Sequence, residues 1–141
     1  LSQPATADGP EREIWLWDFG GQADQRLIHQ LFLDQAALVL LLFDADREEV
    51  LDGLRDWQSA LRRSLPSPVP QILVAAREDA GFRASRRRLE RFAADQGMPF
   101  LVTSAKEGTG CTELQEAIAA AIPWDQLPRR TSPRMFHWIK G

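Results

Sequence analysis

The chain has 141 residues, 44% of them hydrophobic and 26% charged, which suits one soluble domain with its own core and excludes a disordered polypeptide. A net charge of -3 gives no support to a general nucleic-acid or anionic-membrane binder. With Cys111 as the single cysteine there is no internal disulfide and no cysteine cluster for zinc, so a reducing interior, the cytoplasm, is the natural setting.

Residues 1–12 contain Pro4, Gly9 and Pro10 and no periodicity, which reads as a loop or disordered lead-in. Ile14-Trp15-Leu16-Trp17 then reads as a buried strand, and Asp18 with Gly20 and Gly21 as a tight turn at its end. In a doubly wound α/β domain ligands sit at the carboxyl ends of the strands. Asp18 would there project where a phosphate-bound Mg²⁺ needs a carboxylate. Gly21, without a side chain, would let a backbone N–H approach a terminal phosphate, and Gln22 could orient an attacking water. The alternative for Asp18 is a simple helix cap. Leu27, Ile28, Leu31 and Phe32 fall at helical spacing over 24–33, with His29 as a half-buried packing residue among them.

Residues 37–44 form an apolar run without alternation, the pattern of a strand in a parallel sheet covered on both faces. The run lies far below the about 20 residues of a membrane span. Asp44 ends it, and Asp46 lies two residues further on. An Asp-x-Asp after a strand also opens haloacid-dehalogenase-type phosphatases, whereas a following helix over 48–63 favours a capping role for Asp46. That helix places Val50, Leu54, Trp57 and Leu61 on one face and ends before Pro66, Pro68 and Pro70.

A third strand, 71–76, delivers Ala76-Arg77-Glu78-Asp79 to its carboxyl end. The helix expected over 84–96 turns Leu89, Phe92 and Ala93 inward and Arg83, Arg86, Arg87, Arg88 and Arg91 outward, and Gly97 closes it. Such a basic face could meet an acidic partner or a nucleic acid, but a solvated helix face accounts for it in a chain of acidic balance. A fourth strand, 99–103, ends in Thr103-Ser104-Ala105-Lys106. After Gly110 a last helix would bury Leu114, Ala117, Ile118, Ala121 and Ile122, with Cys111 as a packing residue. From Pro123 onward the proline-punctuated segment reads as a connector, and Met135, Phe136, Trp138 and Ile139 as the start of a further helix.

Taken together, Asp18-x-x-Gly21-Gln22, Arg77-Glu78-Asp79 and Ser104-Ala105-Lys106 resemble three successive motifs of Ras-like GTPases, each at the end of a strand and in the family's order. The form Trp17-Asp18-Phe19-Gly20-Gly21-Gln22 is most similar to the Roc group of large multidomain, bacterial proteins. The resemblance implies an α/β fold with a mainly parallel three-layer sheet and helices on both faces. It covers residues 13–122, between the 1–12 lead-in and a 123–141 connector to a following helical domain. It further implies GTP or GDP with Mg²⁺ as ligands, Gln22 as the residue that positions water, and Asp18 as a Mg²⁺ ligand through water. Gly21 would sense the terminal phosphate, and Arg77, Asp79, Ser104, Ala105 and Lys106 would hold the guanine ring.

Two departures qualify what the resemblance implies. The family's Asn-Lys-x-Asp is here Ala76-Arg77-Glu78-Asp79, so the amide that ties this loop to its neighbours is replaced by a methyl group. No Gly-x-x-x-x-Gly-Lys-Ser/Thr occurs in the 141 residues, so the phosphate-cradling loop, the first switch and the first strand of the family are missing from them. A sheet without its first strand has unpaired edges, which predicts closure of the two flanking strands or pairing with a second copy through a dimer or strand swap. Two functions follow as expectations: part of a switch that hydrolyses GTP, nearly inert alone, or a degenerate GTPase-like module for dimerisation or protein recognition.

Overall fold

The computed structural model describes residues 2–3, 12–14 and 36–127. They fall in two compact units, 1–33 and 34–141, each described by itself. In the first, β1 (Ser2–Gln3) pairs antiparallel with β2 (Arg12–Glu13), Ser2 opposite Glu13 and Gln3 opposite Arg12. Part of the segment expected as a lead-in is therefore half of a strand pair. Pro4, Gly9 and Pro10 lie outside the described residues. The strand expected at 14–17, the helix at 24–33 with His29, and Asp18, Gly21 and Gln22 lie outside the described residues, except for Ile14.

The second unit is α/β. Strands β3 (Val39–Asp44), β4 (Gln71–Ala76) and β5 (Phe100–Val102) form a parallel sheet in the order β3-β4-β5. Helices α1 (Leu51–Ser64) and α2 (Arg86–Gln96) make the two crossovers, and α3 (Cys111–Ala121) follows β5. In β4, Ile72, Leu73, Val74 and Ala75 are all 0% exposed. Successive strand residues point to opposite faces, so both faces of the sheet are covered at β4. A strand buried on both faces is what the unbroken apolar run at 71–76 predicts.

On α1 the buried residues are Leu51, Leu54, Gln58 and Leu61, not the expected Val50, Leu54, Trp57 and Leu61. Trp57 is 37% exposed, and Val50 is buried as the residue that precedes the helix. The inner stripe is centred on Leu51, Leu54 and Leu61, and at about 100° per residue Gln58 falls within it while Trp57 falls at its edge. The Gln58 amide reaches Gln96 Oε1 at the end of α2, at 3.3 Å. Asp46 does not cap α1. Val50 occupies that position, and the Asp46 N–H instead donates to Asp44 Oδ1 at 3.1 Å.

On α2, Leu89, Phe92 and Ala93 are buried and the five arginines from Arg83 to Arg91 are exposed, as the pattern predicts. Gly97 closes the helix in the left-handed conformation, its N–H bonded to Ala93 and Ala94 carbonyls. In α3, Ile118 is buried and Leu114, Ala117 and Ala121 are half-buried. A short 3₁₀ turn, Trp124–Gln126, folds back so that Trp124 Nε1–H donates to the Ala119 carbonyl at 2.8 Å. No helix among the described residues is long and apolar enough to cross a membrane.

Candidate functional site

The parallel sheet sends the ends of β3, β4 and β5 to one edge, and the polar residues of the second and third sequence motifs collect there. The loop after β4 leaves the sheet abruptly. Arg77 is in the left-handed region at φ 60, alone among described non-glycine residues, and Glu78–Ala80 form one 3₁₀ turn. The turn is pinned to the neighbouring strand end by Glu78 N–H to the Thr103 carbonyl, at 3.1 Å. Thr103 N–H returns a bond to the Ala75 carbonyl at 2.8 Å. The two loops are thus joined by backbone before any side chain contributes.

The second loop is held by glycines. Gly108 and Gly110 have φ of +78° and +69°, which residues with a Cβ rarely adopt. A Cβ on Gly110 would lie 2.1 Å from the Val102 carbonyl oxygen, so no side chain fits. The loop closes on itself through Ser104 N–H to the Thr109 carbonyl, at 2.9 Å, with the Cys111 thiol against the Ser104 carbonyl at 3.6 Å. Cys111 is half-buried in this packing position.

Across the two loops, Ser104 Oγ–H donates to Asp79 Oδ1 at 2.7 Å. The same hydroxyl oxygen accepts the Glu107 N–H at 3.2 Å, which fixes its orientation. Ser104 is buried while Asp79 is exposed, so the serine acts as a fixed donor under a carboxylate that faces solvent. The Ser104 hydroxyl holds the Asp79 carboxyl below its ordinary value. Desolvation opposes this, and the Asp79 backbone amide and the Lys106 and Arg77 cations add to the lowering. The result is an ionised acceptor with one oxygen engaged, flanked by two cations. Ala105 and Lys106 are exposed beside it.

Arg77 has a partner that the sequence reading did not assign. Its Nη1–H donates to Asp44 Oδ2 at 2.7 Å, from the end of the adjacent strand. Asp44 is level with Ala76 in the register of the two strands, so Arg77, the first residue after β4, follows directly on its partner, a neighbourhood that the sequence pattern alone does not report. With one oxygen on Arg77 and the other on the Asp46 amide, Asp44 is not placed as the free nucleophile that a phosphatase reading requires.

Of the residues singled out in the sequence, Arg77, Asp79, Ser104, Ala105 and Lys106 therefore sit on two adjoining loops. Asp18, Gly21 and Gln22 lie outside the described residues. A groove of about 410 Å³ opens elsewhere in the fold, lined by Gln58, Arg62, Pro66, Pro70, Gln71 and Met98 among others. It shares no residue with this site.

Comparison with known proteins agrees with the motif pattern. The model of the Ras family matches residues 1–123, beginning ahead of Glu13, where the motif resemblance starts. Ras-related protein Rab-26 of Bos taurus is 29% identical over 129 residues, which cover 90% of this chain and 50% of that protein. Ras-related protein Rab-8B of Pongo abelii is 29% identical over 117 residues, 82% of this chain and 56% of that protein. The GTP-binding protein YPTM2 of Zea mays is 27% identical over 117 residues, 82% of this chain and 58% of that protein. The chain spans about half the length of the curated relatives it matches.

Proposed function

The chain belongs to the Ras family, and from that premise we propose that it is the base-reading and hydrolytic part of a GTP-binding switch. The observation that carries this reading is the 2.7 Å bond from Ser104 Oγ to Asp79 Oδ1, which joins two motifs distant in sequence into one acceptor site. Guanine presents a ring N–H and an exocyclic amine side by side, and an ionised carboxylate receives both. Adenine presents a ring acceptor where guanine has the N–H, and the carboxylate repels it. Lys106 and Arg77 provide cations whose stems and planes cover the faces of a purine ring, and the Ala105 N–H supplies a donor for the guanine carbonyl.

In this reading Asp18 would hold Mg²⁺ through water, and the ion would supply neutralisation of charge on the phosphates. Gly21 senses the terminal phosphate and Gln22 positions the water that attacks it. GTP becomes GDP and phosphate. Trp17-Asp18-Phe19-Gly20-Gly21-Gln22 supports a Roc-type switch within a cytoplasmic multidomain protein, in which residues 123–141 lead toward a following domain. Without a Gly-x-x-x-x-Gly-Lys-Ser/Thr motif in its sequence, the chain alone binds weakly and turns over little.

A second reading, a degenerate module for dimerisation or strand exchange, is favoured by one observation. Among the described residues β3 is an outer strand of its sheet, and its Leu42 is 59% exposed. Titration of the chain with fluorescent GDP and ADP in Mg²⁺ separates the two. The switch reading expects weak binding with a preference for GDP that Asp79→Ala abolishes; binding without preference between the two nucleotides, with a concentration-dependent dimer, favours the module.

A further inference from the structure

We propose that Asp44 is a positioning residue for the base-reading loop: it holds the Arg77 guanidinium away from Asp79 and supplies the tie to the neighbouring strand that Ala76 cannot. The proposal rests on the reading of Asp79 and Ser104 as the base-binding pair.

Ala76 is the last residue of β4, level with Asp44 on β3. Its methyl group offers no hydrogen bond, so the loop that starts one residue later has no side-chain anchor at position 76. The anchor is displaced by one residue. Arg77 reaches back across the sheet edge to Asp44 Oδ2 at 2.7 Å, while Asp44 Oδ1 accepts the Asp46 N–H at 3.1 Å. The side chain of Asp44 is 26% exposed and that of Arg77 is 67% exposed, so the carboxylate is the fixed member and the guanidinium the one that is held.

The backbone supports the same assignment. A left-handed φ of 60 is costly for a residue with a Cβ and persists where the surroundings over-determine it. Here the Glu78 N–H bond to Thr103 constrains one side of Arg77 and the Asp44 contact constrains its side chain. An exposed ion pair of this kind adds little to stability, so its consequence is orientation.

Charge makes that orientation matter. Asp79 feels both Lys106 and Arg77 as cations. Released from Asp44, Arg77 gains the option of pairing with Asp79, and a guanidinium on that carboxylate competes for the oxygens that a guanine ring needs. Asp44 removes the competitor and presents the flat guanidinium face beside the site.

The test is a titration of the full chain with GDP and with ADP, followed through amide and Arg77 side-chain signals by NMR. It is repeated for Asp44→Asn, Asp44→Glu, Arg77→Ala, the Asp44→Asn/Arg77→Ala pair, and Asp79→Asn. The expected result is a GDP affinity about five- to tenfold lower in Asp44→Asn, the scale of one lost charge-assisted contact. Most of it returns in Asp44→Glu, and in the Arg77→Ala background Asp44→Asn adds nothing, because the aspartate acts through the arginine. Unchanged GDP affinity in Asp44→Asn, or a full additive loss in the double variant, overturns the proposal. If Asp79→Asn erases the preference for GDP while Asp44→Asn changes nothing, only the role of Asp44 fails. If GDP shifts no signal at Asp79, Ser104 or Lys106, or if Asp79→Asn keeps the preference, the base-reading assignment fails and takes this proposal with it.

Discussion

Strand β4 and the loop that leaves it are consecutive in the chain and obey opposite physics. From Ile72 to Ala75 every residue is sealed at 0% exposure, and what matters is apolar volume. From Arg77 to Ala80 all but the half-buried Glu78 are exposed, and what matters is a small set of directed bonds, to Thr103, Ser104 and Asp44. Such a division teaches that stability and recognition are nearly separable here. Changes in the strand should cost folding free energy without a specific effect on binding, and changes in the loop should do the reverse.

The division would break first at β4 itself. Leu73→Ala removes a fully buried side chain between two paired strands, and a loss of about 2–5 kcal/mol in denaturant unfolding is expected. A loss below 1 kcal/mol would mean that the sheet interior is not packed as described. Gly110→Ala comes next. Its Cβ would stand 2.1 Å from the Val102 carbonyl at a positive φ, so the loop must shift, at about 1–3 kcal/mol and with displaced Ser104 and Lys106 amide signals. At Gly110 strand and loop share a constraint, and its substitution should move both readouts.

Arg77→Gly sharpens the contrast. Relief of the left-handed backbone and the added freedom of the unfolded chain oppose each other, so stability should stay within about 1 kcal/mol while GDP affinity falls. Leu42→Ala is the control on β3. At 59% exposure it should cost within about 0.5 kcal/mol, and a large loss in a concentration-dependent assay would indicate a second copy on that edge. The smallest effect concerns acid. Because Asp79 is ionised more readily when folded, its bond with Ser104 contributes fully above the ordinary aspartate value. That contribution is lost as pH falls through the lower folded value. In Ser104→Ala the guanine preference should fail nearer the ordinary value, read from GDP titrations across the acid range.

Much of the fold was legible in the sequence because parallel strands advertise themselves as unbroken apolar runs, and 71–76 coincides with β4 to the residue. Helix α1 was harder. Trp57 and Gln58 are adjacent, and hydropathy favours burying the tryptophan, but the stripe that runs through Leu51, Leu54 and Leu61 takes in Gln58. The meeting of Asp79 with Ser104 was readable only through resemblance, since no local pattern links residues on separate strands. Asp44 was seen as a strand-end acid, yet its partner depends on register, which periodicity does not report.

The parallel register has a kinetic consequence as well. Both neighbours of β4 lie a complete helical crossover away in sequence, β3 before α1 and β5 after α2. The middle strand therefore has no local partner to nucleate on, and two large loops must close before its hydrogen bonds are repaid. Until then the Ile72–Ala75 segment is an exposed, uncharged, β-prone stretch of the kind that associates between chains. The segment most protected in the finished molecule is the one most at risk while the molecule is being made.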